Sequence, residues 1–539
     1  MSDLEHLAYE TLRALPNGYP GPGGAAAVLK DGKVIGQHVW GFADMHEKIP
    51  MTADTLMPIC SISKQMFCAL VVDLQRKPTP PMATNGDVME QFNQRLTELL
   101  NPQMTQGRTL IIDHLCDNHS GIRDYFALTL LWGASPEDRF TLSEHCPLML
   151  DRLKSFHFQP GTEYSYANTN FHILARVIED VSKEPLHSLL ANRVFAPAAM
   201  KTARFCPDFA KLPSHTPCIG YEGDEQTGFR PAIIRMESAG DAGILCSLTD
   251  LVAYEAYLDR SLTDPRSWYH AVVNGSQYSD GTKSRYHYGL RHVDINGTTT
   301  VGHSGTIRGF CLSRLQVPKE RLSVVVMLNQ QSSAPTMGED IVRTMLNSKS
   351  LPTELVDPSP FWFGTFLDKG TQLLLRVRAG TSKGDLNIKF SRAPETVFLT
   401  SSHHARSRDM VASIDGDSLT IQRLEEHMTI NATRLISDGS CTDYSLFVGD
   451  FYSSDVDSVF NCRDQGGVLY GYFDGFMGKG PAQVMHYLGQ DVWSFLCPRG
   501  IDDPGPGEWT LVFHRGADNG ISGVTMGCWL ARRVEFTRV

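Results

Sequence analysis

Residues 61–74, Ser61-Ile62-Ser63-Lys64-Gln65-Met66-Phe67-Cys68-Ala69-Leu70-Val71-Val72-Asp73-Leu74, join the chain's single Ser-x-x-Lys to an apolar run of helical spacing (Met66, Phe67, Leu70, Val71, Leu74). Three residues apart on one helix face, the Ser61 hydroxyl and the Lys64 amine come within reach of each other. A serine hydroxyl attacks a carbonyl only when a neighbour takes its proton, and a lysine can do so only when burial or nearby positive charge lowers its pKa. The preceding Met57-Pro58-Ile59-Cys60 is apolar. It places Ser61 at the start of a buried helix, where free backbone NH groups and the helix dipole favour negative charge.

Two further stretches supply partners for such a pair. Phe158-Gln159-Pro160-Gly161-Thr162-Glu163-Tyr164-Ser165-Tyr166-Ala167-Asn168 runs through a Pro-Gly turn into Tyr-x-Asn. A phenol beside a lysine can share its proton relay, and an amide can hold both a substrate carbonyl and the lysine. Read alone, the same residues describe a turn with Asn168 capping a helix. Thr298-Thr299-Thr300-Val301-Gly302-His303-Ser304-Gly305-Thr306 is a β-branched run ending in His-x-Gly. Gly305 would admit close backbone approach, and the NH groups of Thr306 and Ser61 would form an oxyanion pocket. A second His-Ser-Gly at His119-Ser120-Gly121 precedes the tyrosine and follows a helix-to-loop pattern, so His119 is read as structural and His303 as the site residue.

In this order, Ser-x-x-Lys, Tyr-x-Asn and His-x-Gly resemble the serine β-lactamase and penicillin-binding-protein superfamily, where the last triplet is more often Lys-Thr-Gly. Gly41-Phe42-Ala43-Asp44, Met57 to Ser61, Ser120-Gly121-Ile122-Arg123-Asp124-Tyr125 and Met526-Gly527-Cys528-Trp529-Leu530-Ala531-Arg532 resemble, within it, the bacterial D-aminopeptidases. The resemblance covers nearly the whole chain. It implies an α+β, β-lactamase-like catalytic domain, helices on an antiparallel sheet, over residues 1–350. Two small antiparallel β-barrels would follow over 351–436 and 437–539. The sequence itself carries a weak repeat there, Gly364-Thr365-Phe366 and Gly449-Asp450-Phe451 opening segments that close on Thr433-Arg434 and Thr537-Arg538.

The resemblance further implies a loop of the last domain that reaches the active site and restricts it to short substrates with a free amine. Residues 498–508, rich in proline, glycine and carboxylates, join two strong strand patterns, and Asp502 is the matching position, with Asp503 adjacent. Without the resemblance the same loop reads equally as an acidic hairpin turn.

Composition bounds the remaining classes. With 539 residues and 42% hydrophobic content the chain can bury two or three cores. Lys and Arg total 49 against 60 Asp and Glu, a net charge of −11, which argues against nucleic-acid and anionic-membrane partners. The N-terminus lacks the basic and apolar regions of a signal peptide, and no apolar stretch has spanning length, so a cytoplasmic location is expected. Twelve cysteines are dispersed without zinc-site pairing, and His403-His404 point apart in a strand, so neither metal nor cofactor is expected.

With these readings, the resemblance implies a serine aminopeptidase releasing a small N-terminal D-residue from short peptides or amides, without cofactor. Ser61 is the nucleophile, Lys64 and Tyr166 form the relay, and Asn168, His303, Gly305, Thr306 and Asp502 hold substrate or oxyanion. β-Lactams are candidate inhibitors, and the resemblance implies a homodimer. An esterase or β-lactamase-like hydrolase, and a β-lactam- or peptide-binding protein that acylates without turnover, share the three motifs.

Overall fold

The structure is a computed structural model, described over residues 2–211, 218–348, 356–436, 443–497, 500–502 and 507–539. After the first helix, Asp31 and Gly32 form an Asp-Gly hairpin: both take positive φ (53° and 70°) and turn the strand Gly23–Lys30 into Lys33–Asp44. Two positive φ values match the right-handed strand twist, which is why Asp-Gly serves here. These strands join an eight-stranded antiparallel sheet that also holds Leu322–Leu328, Phe310–Val317, Thr298–Ile307 and Leu290–Ile295. Gly23–Lys30 pairs with Leu322–Leu328, Ala25 opposite Met327, so the two ends of this unit meet in the middle of its sheet.

Helices cover both faces. Asp3–Gly18 and Ala334–Met345 pack Ala8, Leu12, Met337 and Ile341 against Ala26, Val28, Val324 and Val326. The latter helix opens on Ala334-Pro335, where a proline suits a first turn that needs no NH donor. On the opposite face lie Ser63–Arg76, Asn168–Ser182 and Leu248–Ser261. Burying eleven residues of Ser63–Arg76, Ser63 and Lys64 included, makes it the central helix of the larger core.

Beyond Val356 the eight strands from Gly364–Asp368 to Met428–Arg434 form a closed barrel around Phe366, Leu375, Ile388, Ile421 and Ile430. A second antiparallel sheet follows, Gly449–Ser453 through Ala531–Arg538. Its pairing path ends at Gly478–Lys479 and His486–Gly489, and Gln483–Val484 pairs with Leu469–Gly475 while lying beside Val492–Cys497. The sequence repeat has a physical basis. Arg434 stacks on Phe366 at 4.6 Å and Arg538 on Phe451 at 5.3 Å, each donating to carbonyls just ahead of its sheet's first strand. A Cβ at Gly364 or Gly449 would lie 2.3 or 2.8 Å from the corresponding guanidinium, so glycine opens both segments.

Candidate active site

Ser61, expected at the start of the helix, sits two residues ahead of it. A tight turn, Cys60–Ile62, precedes Ser63–Arg76, and Cys60 takes φ 50°, a conformation that L-residues rarely hold and that clusters at functional sites. The Cys60 thiol is buried, donates to the Pro58 carbonyl, and is pushed well above its ordinary pKa by that burial, so its sulfur is a poor nucleophile. The strand Thr298–Ile307 passes directly over this turn. A Cβ at Gly305 would lie 2.4 Å from the Ile59 carbonyl and 3.2 Å from Ser61 N, and only glycine lets the strand come so close.

Lys64 is fully buried, and its ammonium donates to three acceptors: Ser61 Oγ at 2.9 Å, Asn168 Oδ1 at 2.7 Å and the Asp241 carbonyl at 2.8 Å. Each acceptor is uncharged. Burial lowers the Lys64 pKa to about 8, against the opposing pull of the Asp241 and Asp124 carboxylates. When the amine loses its proton, Asn168 and the Asp241 carbonyl still take its two N–H bonds, and the lone pair is left facing Ser61. Tyr166 donates to the same Ser61 Oγ at 2.7 Å, with its ring 4.9 Å from the Lys64 nitrogen. Burial raises the phenol's pKa, so Tyr166 stays a neutral donor.

Asp124 sets the amide. Its carboxylate accepts from both Asn168 N and Asn168 Nδ2, which turns Oδ1 toward Lys64, and it also caps the helix Tyr125–Leu131 through Phe126 N. Asp241 is held by the Tyr125 hydroxyl at 3.0 Å. Its carbonyl reaches Lys64 because Gly240 and Gly243, both at positive φ, fold residues 238–243 into a tight turn.

His303 is buried between two partners. Its Nδ1 faces the Ser304 carbonyl, which can only accept, so Nδ1 carries the proton and Nε2 accepts from the Tyr286 hydroxyl at 3.1 Å. Burial and the neighbouring Lys64 lower its pKa to about 3, so it presents no cation to the cleft. His119 lies elsewhere, stacked on Tyr278 and bonded to Ser284.

These groups open into a cleft of about 160 Å³ that touches Ser61, Tyr166, Asn168, His303 and Thr306. Asp502 is not among its walls. One carboxylate oxygen accepts from Arg235 N and Met236 N, and its carbonyl accepts from Arg308 N, next to the end of the Thr298–Ile307 strand. Asp502 thus pins its loop to the catalytic unit; Pro498, Arg499 and residues 503–506, Asp503 included, lie outside the described residues.

The far wall comes from residues that the motifs did not assign. Trp529 and Leu530, at the turn between the last two strands, and Arg392 from the barrel line the cleft, and the Leu530 carbonyl accepts from Asp124 N at 3.0 Å. Arg123, buried beside Asp124, donates to the carbonyls of Arg532 and Arg533. Asp124 and Trp529 stand inside the stretches quoted above for the resemblance. Asp241, whose contribution is a carbonyl, and Arg392 stand in no motif.

A family model described as beta-lactamase matches residues 10–346, and one described as D-aminopeptidase, domain B, matches residues 355–537. The D-aminopeptidase of Brucella anthropi is 39% identical over 540 residues, covering 100% of both chains. The chain belongs to the D-aminopeptidase family. Another D-aminopeptidase, from Brucella canis, is 38% identical over 528 residues, 98% of each chain. Among solved structures, the octameric penicillin-binding protein homologue from Pyrococcus abyssi matches 88% of this chain and 99% of its own at TM-score 0.54 and 17% identity. The D-amino acid amidase of Ochrobactrum anthropi SV3 matches 65% of this chain and 100% of its own at TM-score 0.51 and 18% identity. Both share the fold of this D-aminopeptidase family member.

Proposed function

We infer that the protein is a D-stereospecific serine aminopeptidase acting on short peptides and amides through an acyl-enzyme. The observation that carries the mechanism is the convergence of Lys64 Nζ and Tyr166 OH on Ser61 Oγ, at 2.9 and 2.7 Å, inside a buried pocket. Full-length kinship with named D-aminopeptidases supports the substrate class.

With a pKa of about 8, about one tenth of the Lys64 side chains are neutral at pH 7, enough to supply a base without external activation. In that form Lys64 takes the Ser61 proton as Oγ attacks the scissile carbonyl. Tyr166, hydrogen-bonded to the same oxygen, passes a proton to the departing amine and is reprotonated through Lys64. Backbone NH groups of Ser61 and Thr306 hold the oxyanion, with Gly305 letting the strand sit close enough, and Asn168 fixes both the lysine and the acyl carbonyl. Water then repeats the attack on the ester, and Lys64 accepts its proton.

The cleft's size supports a small acyl group, since about 160 Å³ is roughly half the lower bound for drug-sized ligand pockets. His303, neutral and doubly hydrogen-bonded, leaves the catalytic unit without the cation that a Lys-Thr-Gly triplet would aim at a substrate carboxylate. A cytoplasmic location is part of the same reading, supported by eleven described cysteines that are all free thiols. β-Lactams, whose strained amide suits the same attack, are expected to acylate Ser61.

The test is hydrolysis of D-alanine and L-alanine p-nitroanilides by the wild type and Ser61→Ala. Cleavage of the D form alone, lost in the variant, is expected. Absence of cleavage by folded wild type would reject the aminopeptidase, and cleavage of simple esters alone would point to the esterase.

A further inference from the structure

The geometry points to Arg392 as a receptor for a free carboxylate on the leaving side of the substrate, so that the preferred substrates are short peptides ending close to the scissile bond. This rests on the aminopeptidase reading above. Among the described residues, three cations approach the cleft. Lys64 spends its protons on Ser61, Asn168 and the Asp241 carbonyl, and Arg291 is ion-paired with Glu425. Arg392 differs from both: it is exposed, and among the described residues its guanidinium has no carboxylate partner, its contact being the face of Trp529 at 5.1 Å.

Its position is built. Ser391 stands at φ 60°, and its hydroxyl donates to the Glu508 carbonyl at 2.9 Å while its own carbonyl accepts from Glu508 N at 2.9 Å. Gly507, also at positive φ, lies so close that a Cβ there would sit 2.5 Å from the Ser391 carbonyl and 3.0 Å from Arg392 Cα. Glu508 is buried, and Arg376 and Lys389 of the barrel bind its carboxylate. The barrel and the last domain are therefore locked together at the turn that projects Arg392 into the cleft. A planar guanidinium resting on an indole keeps its edge free for a bidentate carboxylate. The catalytic unit lacks a cation at His303, and the barrel supplies one to the cleft wall; an aminopeptidase substrate carries its free amine on the acyl part, so a carboxylate bound there belongs to the leaving part.

The experiment compares D-alanylglycine with D-alanylglycinamide, which differ only in the terminal charge. In the wild type, kcat/KM should favour the free acid, the preference lying in KM and shrinking as ionic strength rises. In Arg392→Gln the ratio of the two should fall about tenfold, and Arg392→Lys should restore part of it. An unchanged ratio in Arg392→Gln, with the protein folded as judged by its melting curve, would overturn the proposal. Failure of the wild type to cleave D-alanine p-nitroanilide would instead remove the aminopeptidase reading, and this inference with it.

Discussion

Lys64 and Arg314 are both cations with no solvent exposure in the same unit, and they have opposite fates. Arg314, on the strand Phe310–Val317, is clasped by both oxygens of Glu255 and by Gln65 Oε1 at 2.9 Å, and Gln65 in turn donates to the Tyr254 hydroxyl. Burial alone would pull its pKa down, but Glu255 more than offsets this and holds the guanidinium above its ordinary value. Lys64, one residue from Gln65, meets only neutral acceptors, and the carboxylates of Asp124 and Asp241 bind Asn168 and Tyr125 instead. One group is a fixed charge, the other a titratable base. Burial is common to both; what separates them is whether a carboxylate touches the cation or stands behind an intervening residue.

The sharpest way to break this contrast is Lys64→Arg, which keeps the charge and removes the ability to lose a proton. kcat/KM should fall by at least about 10⁴-fold, as for Ser61→Ala, because members of one relay fail together. Next in size, Glu255→Ala strands Arg314 without its partner. A loss of about 3–5 kcal/mol is expected for breaking a buried pair, read as a lower denaturation midpoint of the catalytic unit. Tyr166→Phe leaves the base but removes the shared donor, and single-turnover kinetics should show acylation slowed by about 10²-fold.

The wild-type profile carries the comparison into pH. Activity needs neutral Lys64, so kcat/KM should climb about tenfold per unit below an inflection at about pH 8 and level off above it. Asp124 raises the Lys64 pKa, so Asp124→Asn should move the inflection to lower pH while lowering the plateau, since one amide oxygen must then serve both Asn168 and Phe126 N. A profile that stays in place would mean that Lys64 is not the group being titrated.

What could be read in the chain was what lies within one helix, strand or turn. Ser61 and Lys64 share a helical offset, Tyr166 and Asn168 a single turn, and Gly305 is legible because close backbone approach demands the smallest residue. The Arg434 and Arg538 clasps surfaced as a repeat because each uses the same short words at both ends of its sheet. Asp502 shows the limit. Its acidity is visible, but whether a carboxylate faces a ligand or a pair of backbone NH groups depends on residues 235 and 236, far away in sequence. Arg392 and the Asp241 carbonyl had no local signal at all, since any arginine and any peptide group would read alike.

The Trp529–Leu530 wall also gives the site a timetable. At about 5–20 residues per second, the turn that completes the cleft is synthesised tens of seconds after Ser61 and Lys64. Until then Asp124 N and the Arg123 guanidinium lack the carbonyls of Leu530, Arg532 and Arg533. The proposed nucleophile is thus among the first parts of the molecule to exist and its enclosure among the last, so a chain interrupted late in translation would carry Ser61 with no far wall to choose what reaches it.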